Sequence, residues 1–287
     1  FDPAANLLKP ASARRTPNQD LRGLSTPELL VITAPAFAEQ ARRLADFRRT
    51  HDGLRTAVVT TGQVYNDFAS GKQDVTALRD FVRMLYRRGS GLRYVLLFGD
   101  ASYDYKDRQP GNTNFVPVYE SFQSLHPIFS YSSDDYFGFM DDNEGNWPEN
   151  SAGDHTMEVA VGRLPVKTLA EAAAVVDKLV HYEQDTNTLG EWRRNVTFVA
   201  DDGDANTHQL DADRLANTVL NRYKSYLPEK VYLDAFPQIS FANGQKSPSA
   251  TAAIDKAVER GSLIVNYTGH GSELGWAQEQ IVTAEQI

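Results

Sequence analysis

One histidine in the sequence has the surroundings of a catalytic base. His270 lies between Gly269 and Gly271, directly after the apolar run at residues 263–267. Glycines on both sides let the backbone approach a substrate closely and leave amide N–H groups free to point at an oxyanion. A histidine in a strand is more often a hydrogen-bonded core residue, but Gly-His-Gly at a strand end favours function. We therefore predict that His270 is a general base and that Gly269 and Gly271 support an oxyanion.

A second apolar run, at residues 196–200, is followed by three aspartates: Asp201, Asp202 and Asp204. If the two runs are neighbouring strands, one of these carboxylates accepts the Nδ1 proton of His270, which fixes the imidazole tautomer and raises its basicity. Aspartates after a strand also commonly cap the next helix, and this alternative stays open. These residues predict a base with its orienting carboxylate. They include no cysteine nucleophile, because the chain contains no cysteine.

Two other chemistries use the same region. Ser272 follows the histidine motif, but it lacks the Gly-x-Ser-x-Gly pattern that exposes a serine nucleophile. A metal-dependent hydrolase would need further histidine ligands, and no two histidines have ligand spacing in the sequence. The others considered are His126, His155, His181 and His208. Both alternatives are therefore weaker than the base and carboxylate pair.

Five carboxylates cluster in a polar stretch between predicted strands. They are Asp134, Asp135, Asp141, Asp142 and Glu144. Calcium favours several carboxylate and carbonyl oxygens on a flexible loop. The spacing does not match an EF-hand, so a solvated loop is the alternative. We predict a structural Ca²⁺ at this loop and no organic cofactor.

Short apolar runs alternate with amphipathic stretches along most of the chain. Strands are predicted over 29–33, 56–60, 94–98, 157–161, 196–200, 230–233 and 263–267, and helices over 36–49, 75–88, 169–182, 210–223 and 250–260. A parallel sheet covered on both faces explains this alternation. We predict an α/β fold of two side-by-side subdomains with mainly parallel sheets. Residues 1–27 form a linker or the tail of a preceding domain, 28–120 the N-terminal subdomain and 121–287 the C-terminal catalytic subdomain.

Charge and hydropathy exclude two kinds of partner. The formal net charge is −9 and no basic stripe is present, so a nucleic acid is not the expected partner. No apolar run is long enough to cross a bilayer. The sequence starts with Phe1 and carries neither an initiator methionine nor a signal peptide, which predicts that further residues precede it.

Several blocks of the sequence, in the right order, resemble one peptidase family. NYTGHGSE at residues 266–273, with Trp276 soon after, is similar to the catalytic-histidine signature of the gingipain-type (C25) cysteine peptidases. VYNDFASG at 64–71, LLFGDASYD at 96–104, VGRLPV at 161–166 and FVADDGD at 198–204 resemble the sortase branch of the type IX secretion system. The similarity runs from about residue 29 to the end. It implies a caspase-like α/β fold with a cysteine–histidine dyad in the second subdomain.

The resemblance also assigns residues of the active site. By motif position, His270 corresponds to the catalytic histidine and Asp202, just before Gly203, to its acidic partner. Asp201 is the nearest competitor, one position away. In the family the nucleophilic cysteine closes the next strand, a few dozen residues after the histidine. We expect that strand and its cysteine to lie beyond Ile287, the last residue of this sequence.

The resemblance further implies a substrate pocket and a reaction. His208 and Trp276 are the candidates for the pocket wall, and a histidine there does not support the basic P1 preference that an acidic pocket gives true gingipains. The sortase branch cleaves a C-terminal sorting domain from secreted cargo and passes the acyl group to an amine or to water. The implied partners are such cargo and other secretion-system components, at an outer-membrane surface or in secreted form. The alternative is an inactive fragment or pseudoenzyme that serves as a scaffold for cargo.

Overall fold

The computed structural model describes residues 15–89, 91–121, 125–126, 130–142, 144, 156–242, 244–272 and 274–286. The chain forms two compact units, Phe1–Gln184 and Asp185–Ile287. The predicted boundary between 120 and 121 falls within the first of these units. Strand pairing contributes to this division, because Ala160–Leu164 pairs with Tyr94–Phe98 and so belongs to the first unit.

The first unit is built around a four-stranded parallel sheet. Its elements are β1 Leu29–Thr33, α1 Ala38–His51, β2 Thr56–Thr60, α2 Thr61–Phe68, α3 Val75–Arg87, β3 Tyr94–Phe98, β4 Tyr119–Glu120, β5 Ser132–Ser133, β6 Ala160–Leu164 and α4 Leu169–Gln184. The strand order is β2-β1-β3-β6, and every neighbouring pair is parallel. Strands β4 and β5 form a separate antiparallel pair.

Strand β1 is central because all five of its residues are buried. Leu30 and Ile32 belong to the core formed with α2 and α3, whereas Leu29 and Val31 belong to the core formed with α1 and α4. This is the continuous burial expected of a parallel strand that is covered on both faces. Helix α3 begins after Asp74, whose carboxylate accepts a hydrogen bond from the N–H of Thr76 at 2.8 Å.

The second unit contains a three-stranded parallel sheet and two small antiparallel sheets. Its elements are β7 Asn195–Ala200, α5 Thr207–Arg222, β8 Leu227–Tyr232, β9 Ile239–Phe241, β10 Gly244–Lys246, α6 Pro248–Arg260, β11 Ile264–Thr268, β12 Gly271–Ser272, β13 Gly275–Trp276 and β14 Val282–Thr283. The parallel sheet has the order β11-β7-β8, β9 pairs with β10, and β12, β13 and β14 form the third sheet.

The side chains of β7 divide between two cores. Phe198 packs with Ala216 of α5, and Val199 packs with Ile254 of α6. Because β7 and β11 are parallel, with Ala200 opposite Thr268, both strands end at the same edge of the sheet. Loops that follow such strands are held at their bases by the sheet, which makes this edge the expected place for a site.

The predicted α/β class with mainly parallel sheets is confirmed. One strand was misplaced: β6 covers Ala160–Leu164, three residues later than predicted, because Met157 is exposed and the pairing with β3 begins at Ala160. Helix α2 and the short strands were not predicted. Within the described part of the chain, no helix combines the length and the apolar character needed to cross a bilayer.

Candidate active site

His270 and a buried carboxylate meet just beyond the ends of β7 and β11. The N–H of Asp201 donates to the carbonyl of Thr268 at 3.1 Å, which extends the strand ladder by one residue. Nδ1 of His270 then lies 2.8 Å from Oδ2 of Asp201, and the backbone N–H of His270 donates to the same oxygen at 2.9 Å. The N–H of Gly203 donates to Oδ1 at 3.0 Å. Asp201 is therefore fixed on both oxygens, and it fixes His270 at ring and backbone.

Asp201 and His270 each favour the charged form of the other. Burial opposes ionisation of Asp201, but hydrogen bonds from the backbone of His270 and Gly203 and from the imidazole outweigh it, so the pKa of this carboxyl lies below its ordinary value. The hydrogen bond to Asp201 raises the pKa of His270, against a smaller opposing effect of desolvation. The imidazole is 53% exposed while the Asp201 side chain is 5% exposed. The base thus faces solvent and its partner does not.

The predicted acidic partner, Asp202, does not contact the imidazole. Its Oδ2 accepts a hydrogen bond from Nε2 of Gln238 instead. Adjacent residues of an extended chain point in opposite directions, so Asp201 and Asp202 cannot both face His270. The carboxylate that contacts His270 is thus Asp201, the competitor one position away, and a catalytic role for it remains a prediction. None of the three aspartates caps α5, whose N-cap is Asn206.

The two predicted glycines have different surroundings. A Cβ at Gly269 would lie 2.3 Å from Cβ of Asp201 and 2.4 Å from the hydroxyl of Tyr267, so only glycine fits between them. A Cβ at Gly271 would meet no atom within 4 Å. Gly269 is thus needed for the close approach of the two strand ends. The oxyanion role of both glycines remains a prediction.

Trp276, predicted for the pocket wall, supports the histidine loop. Its ring stacks on Tyr267 with centroids 4.5 Å apart and planes 7° apart. The hydroxyl of Tyr267 donates to the carbonyl of His270 at 2.6 Å, and the N–H of Ala277 donates to the same carbonyl at 2.8 Å. Two donors therefore hold the backbone of the base. A contact between Trp276 and substrate remains a prediction.

His208, the other candidate for the pocket wall, lies beside the base at the start of α5. Its ring is perpendicular to that of His270, at 86°, with centroids 4.9 Å apart. Nε2 of His208 is 3.3 Å from Oδ2 of Asp204, and Nε2 of His270 is 3.4 Å from the same oxygen. Folding therefore brings together two histidines that are 62 residues apart in the sequence.

The turn before α5 has an unusual backbone. Asp204, Ala205 and Asn206 have φ values of 54°, 53° and 66°, three successive non-glycine residues in the left-handed region. Each such residue is strained, and alanine, without a polar side chain, is the least suited to it. This turn carries Asp204 and leads into the helix that carries His208.

Sequence reasoning missed a second buried carboxyl group near Asp201. Glu279 is buried, its Oε2 has no hydrogen-bond partner, and oxygens of Asp201, Asp202 and Glu279 lie within 4.8 Å of one another. Burial, together with the negative charges of Asp202 and Asp201, raises the pKa of Glu279. Its neighbours in sequence, Gln278 and Gln280, are polar, and no local pattern marks it as buried.

The acidic loop of the first unit does not bring its five predicted ligands together. Asp134 forms a bidentate pair with Arg163, with both N–O distances 2.7 Å. Asp142 pairs with Arg83 and, at 2.5 Å, with Arg87. Asp135 and Asp141 are exposed, and Glu144 is buried and accepts from the N–H of Asp141 at 3.2 Å. Among the described residues these carboxylates form no group at ligand distance, so Ca²⁺ at this loop remains a prediction.

Known proteins are similar to this chain in sequence and in fold. Gingipain R2 of Porphyromonas gingivalis is 26% identical over 258 residues, which are 89% of this chain and 29% of gingipain R2. The structure of the Arg-specific cysteine proteinase gingipain R (RgpB) superposes with a TM-score of 0.60 at 23% identity, over 92% of this chain and 51% of that one. That of dimeric latent PorU from Porphyromonas gingivalis gives 0.49 at 30% identity, over 70% and 21%. The chain thus spans less than a third of the gingipain R2 sequence.

The sequence model of peptidase family C25 matches residues 23–287. This match includes both units and every residue of the site at the ends of β7 and β11. It confirms the resemblance to gingipain-type peptidases, and the likeness in fold agrees with the α/β class. The chain therefore belongs to peptidase family C25 and forms a cysteine peptidase-like domain of that family.

Proposed function

We propose that His270 and Asp201 are the general base and orienting carboxylate of a cysteine endopeptidase. The observation that carries the proposal is the 2.8 Å contact between Nδ1 of His270 and Oδ2 of the buried Asp201. A donor at Nδ1 leaves Nε2, on the exposed side of the ring, to take a proton. Because the 287 residues contain no cysteine, the thiol of this enzyme must come from outside them.

The reaction follows from that geometry. Nε2 of His270 accepts the thiol proton, and the thiolate attacks the carbonyl carbon of the scissile peptide. The tetrahedral intermediate collapses as His270 returns the proton to the leaving nitrogen, which releases an amine and leaves a thioester. Attack by water or by an acceptor amine then forms the acid or a new amide and regenerates the thiol. Asp201 stays ionised throughout and stabilises the imidazolium.

The substrates we propose are secreted proteins with a C-terminal sorting domain, cleaved at the cell surface. The support is the set of sortase-like blocks, one of which, FVADDGD, ends β7 and contains Asp201. It lies beside the gingipain-type block NYTGHGSE, which ends β11 and contains His270. Other components of the secretion system are the expected partners. An amine acceptor in place of water would make the enzyme a sortase.

A scaffold that binds cargo without cleaving it is the second candidate. The observation that favours it is the absence of cysteine from the sequence, since no covalent step is possible without a nucleophile. The two candidates share the fold and differ in whether a thiol reaches Nε2 of His270. A single property, the thiol content of the isolated protein, therefore separates them.

The test is made on the protein as isolated from its source. Intact mass and C-terminal sequencing establish whether the polypeptide carries a cysteine, and cleavage of a cargo protein is then measured before and after alkylation. We expect alkylation to abolish cleavage and His270→Ala to reduce kcat/KM at least about 100-fold. His181→Ala, an exposed histidine on α4, is the control and leaves the rate unchanged. A protein without a thiol, or with cleavage that survives alkylation, contradicts the peptidase and favours the scaffold.

A further inference from the structure

A second carboxylate lies beside the nitrogen of His270 that would accept the thiol proton. Oδ2 of Asp204 is 3.4 Å from Nε2, whereas Asp201 contacts the other ring nitrogen, Nδ1, at 2.8 Å. We propose that Asp204 is a positioning residue that acts through His270, pairing with the protonated ring at Nε2 while Asp201 pairs with it at Nδ1. The imidazole then lies between one buried and one exposed carboxylate. The role rests on the proposed peptidase function.

The contact between Asp204 and His270 is an ion pair. A separation of 3.4 Å is long for a hydrogen bond and ordinary for an ion pair, so the carboxylate acts through its charge. A negative charge at this distance favours the protonated form of an imidazole. The hydrogen bond to Asp201 is the largest cause of the raised pKa of His270, and the charge of Asp204 adds to it.

The backbone that carries this carboxylate is strained. Asp204, Ala205 and Asn206 all lie in the left-handed region, and none of them is glycine. Strain of this kind persists where the surrounding structure fixes it, and it is concentrated at functional sites. The same turn leads directly into α5, where His208 follows Asp204 by four residues. One short segment thus places a carboxylate and an imidazole beside the base.

His208 contacts the same carboxylate from α5. Its Nε2 lies 3.3 Å from Oδ2 of Asp204 and is buried without a hydrogen-bond partner. Its ring is perpendicular to that of His270, with centroids 4.9 Å apart. The side chain of Asp204 is 63% exposed, so a contact with each of the two imidazoles restrains it more than an ordinary surface aspartate. His208 therefore helps to keep the charge near Nε2.

The other titratable groups around the imidazole act elsewhere. Asp201 contacts Nδ1, and the hydroxyl of Tyr267 donates to the backbone carbonyl of His270. Oxygens of Asp202 and Glu279 lie within 4.8 Å of an oxygen of Asp201, but neither carboxyl group is among the charges that raise the pKa of His270. In the described part of the chain, the charge at Nε2 thus comes from the turn before α5.

The consequence is a stronger base at the atom that takes the thiol proton. In the proposed reaction Nε2 is protonated while the thiolate attacks, and a carboxylate beside that N–H stabilises the imidazolium until the proton passes to the leaving nitrogen. Because Asp204 is exposed and Asp201 is buried, water and salt screen the outer carboxylate more. The effect of Asp204 should therefore be the smaller of the two.

The test is an NMR titration of the His270 ring in the 287-residue chain, with the signal identified by its absence in His270→Gln. Asp204→Asn should lower the pKa of His270, by less than Asp201→Asn does. Asparagine tolerates a left-handed backbone, so this variant keeps the turn and removes the charge. Circular dichroism verifies the fold. About 1 M NaCl should reduce the difference between the wild type and Asp204→Asn, because salt screens an exposed ion pair.

Asp211→Asn is the matched control. Asp211 also lies on α5, pairs with Arg214 at 2.8 Å and is not among the charges that act on His270. This variant should leave the titration unchanged. An unchanged titration of His270 in the folded Asp204→Asn protein, or a shift of equal size in Asp211→Asn, overturns the proposal.

Kinetics of the full-length enzyme test the catalytic consequence. Asp204→Asn should move the limb of the pH profile that reports His270 to lower pH and reduce kcat/KM roughly 2- to 5-fold on its alkaline side, as expected for an exposed ion pair. An unmoved pH profile overturns the positioning role. The NMR titration needs no cysteine, so failure of the peptidase proposal would remove only this kinetic consequence and leave the pairing of Asp204 with His270 to be judged by its own test.

Discussion

The ends of β3 and β7 are alike in sequence and differ in chemistry. Each is an apolar parallel strand that ends beside an aspartate, Asp100 after β3 and Asp201 after β7. Oδ2 of Asp100 accepts a hydrogen bond from Thr113 at 2.5 Å and lies 3.7 Å from the ammonium of Lys167. Oδ2 of Asp201 instead accepts from the ring and backbone of His270. The same place in a strand thus holds a carboxylate that links loops in one unit and a carboxylate that orients a histidine in the other.

The neighbouring strand decides the difference. At the end of the first sheet, Arg163 of β6 donates to the carbonyls of Gly99 and Val116, at 2.7 and 2.8 Å, and pairs with Asp134. A guanidinium stays charged at every physiological pH and cannot exchange a proton, so this end is a fixed link between loops. An imidazole titrates near neutral pH, so the end of the second sheet can transfer protons.

The largest expected effect concerns Arg163, at the carboxyl end of the first sheet. Arg163→Met keeps the length of the side chain but leaves the carboxylate of Asp134 and the backbone carbonyls around it without their donor. We expect the free energy of unfolding to fall by about 2–3 kcal/mol, less than the cost of breaking a fully buried ion pair, because the side chains of Arg163 and Asp134 are 12% and 25% exposed. Urea unfolding followed by circular dichroism measures it. His270→Ala, at the other end, should destabilise the chain less, because the imidazole is 53% exposed. Equal losses in the two variants would contradict the contrast between the two ends.

The second prediction concerns the close approach behind the base. Gly269→Ala places a methyl group against Asp201 and Tyr267, and we expect it to destabilise the chain by about 1–3 kcal/mol, as overpacking does. Gly271→Ala is the matched control, because its added methyl group meets no atom within 4 Å. Thermal unfolding of the two variants gives the comparison. If the variants unfold at the same temperature, the strand ends are not as close as described.

The third prediction distinguishes the two adjacent aspartates. Asp201→Asn should lower the pKa of His270, because the hydrogen bond to Asp201 is the main cause that raises it, whereas Asp202→Asn should leave it nearly unchanged. NMR titration of the histidine ring reports both. A larger shift in Asp202→Asn would restore the assignment made from the motif.

The raised pKa also predicts a pH-dependent contribution to stability. A base that binds its proton more tightly when folded stabilises the fold fully below its unfolded pKa, about 6.5, and loses this contribution as the pH rises through the folded pKa. The stability advantage of the wild type over His270→Gln should therefore be largest in mild acid and shrink above neutrality. A constant advantage across this range would contradict the ion pair.

The smallest effect concerns the carboxyl group that sequence reasoning missed. Glu279→Gln removes a buried carboxylate that lies close to two others and has an oxygen without a partner. We expect it to stabilise the chain by about 1 kcal/mol near neutral pH. Because the folded pKa is raised, the gain should vanish in acid, where wild-type Glu279 is protonated. Thermal unfolding at two pH values measures it, and destabilisation at neutral pH would argue against the unfavourable burial.

The sequence identified the elements whose signal is local. Strands β1 and β3 were predicted with their observed bounds, since five consecutive residues with mostly large apolar side chains are typical of a strand in a sheet that is covered on both faces. Strand β6 was displaced because Gly162 and Arg163 are poor strand signals and the pairing with β3 sets its position. The division of the chain after Gln184 depends on the same pairing, which no local pattern shows.

At the site, the histidine could be predicted from the local sequence, but its partners could not. The two glycines marked His270, but choosing Asp201 over Asp202 requires the register of β7 against β11. His208 reaches His270 only through the turn at Ala205, where alanine gives no signal for a left-handed backbone. Glu279 lies in the segment between β13 and β14, whose two-residue strands have no periodicity to detect.

The left-handed turn before α5 exemplifies a trade-off between stability and function. Alanine at φ 53° costs about 1–2 kcal/mol relative to a relaxed backbone, and Ala205→Gly would relieve much of it. The same change would widen the conformations open to Asp204 and His208. An engineer who selected this chain for thermostability alone would be drawn to position 205, and the juxtaposition of two histidines and a carboxylate would be the property lost.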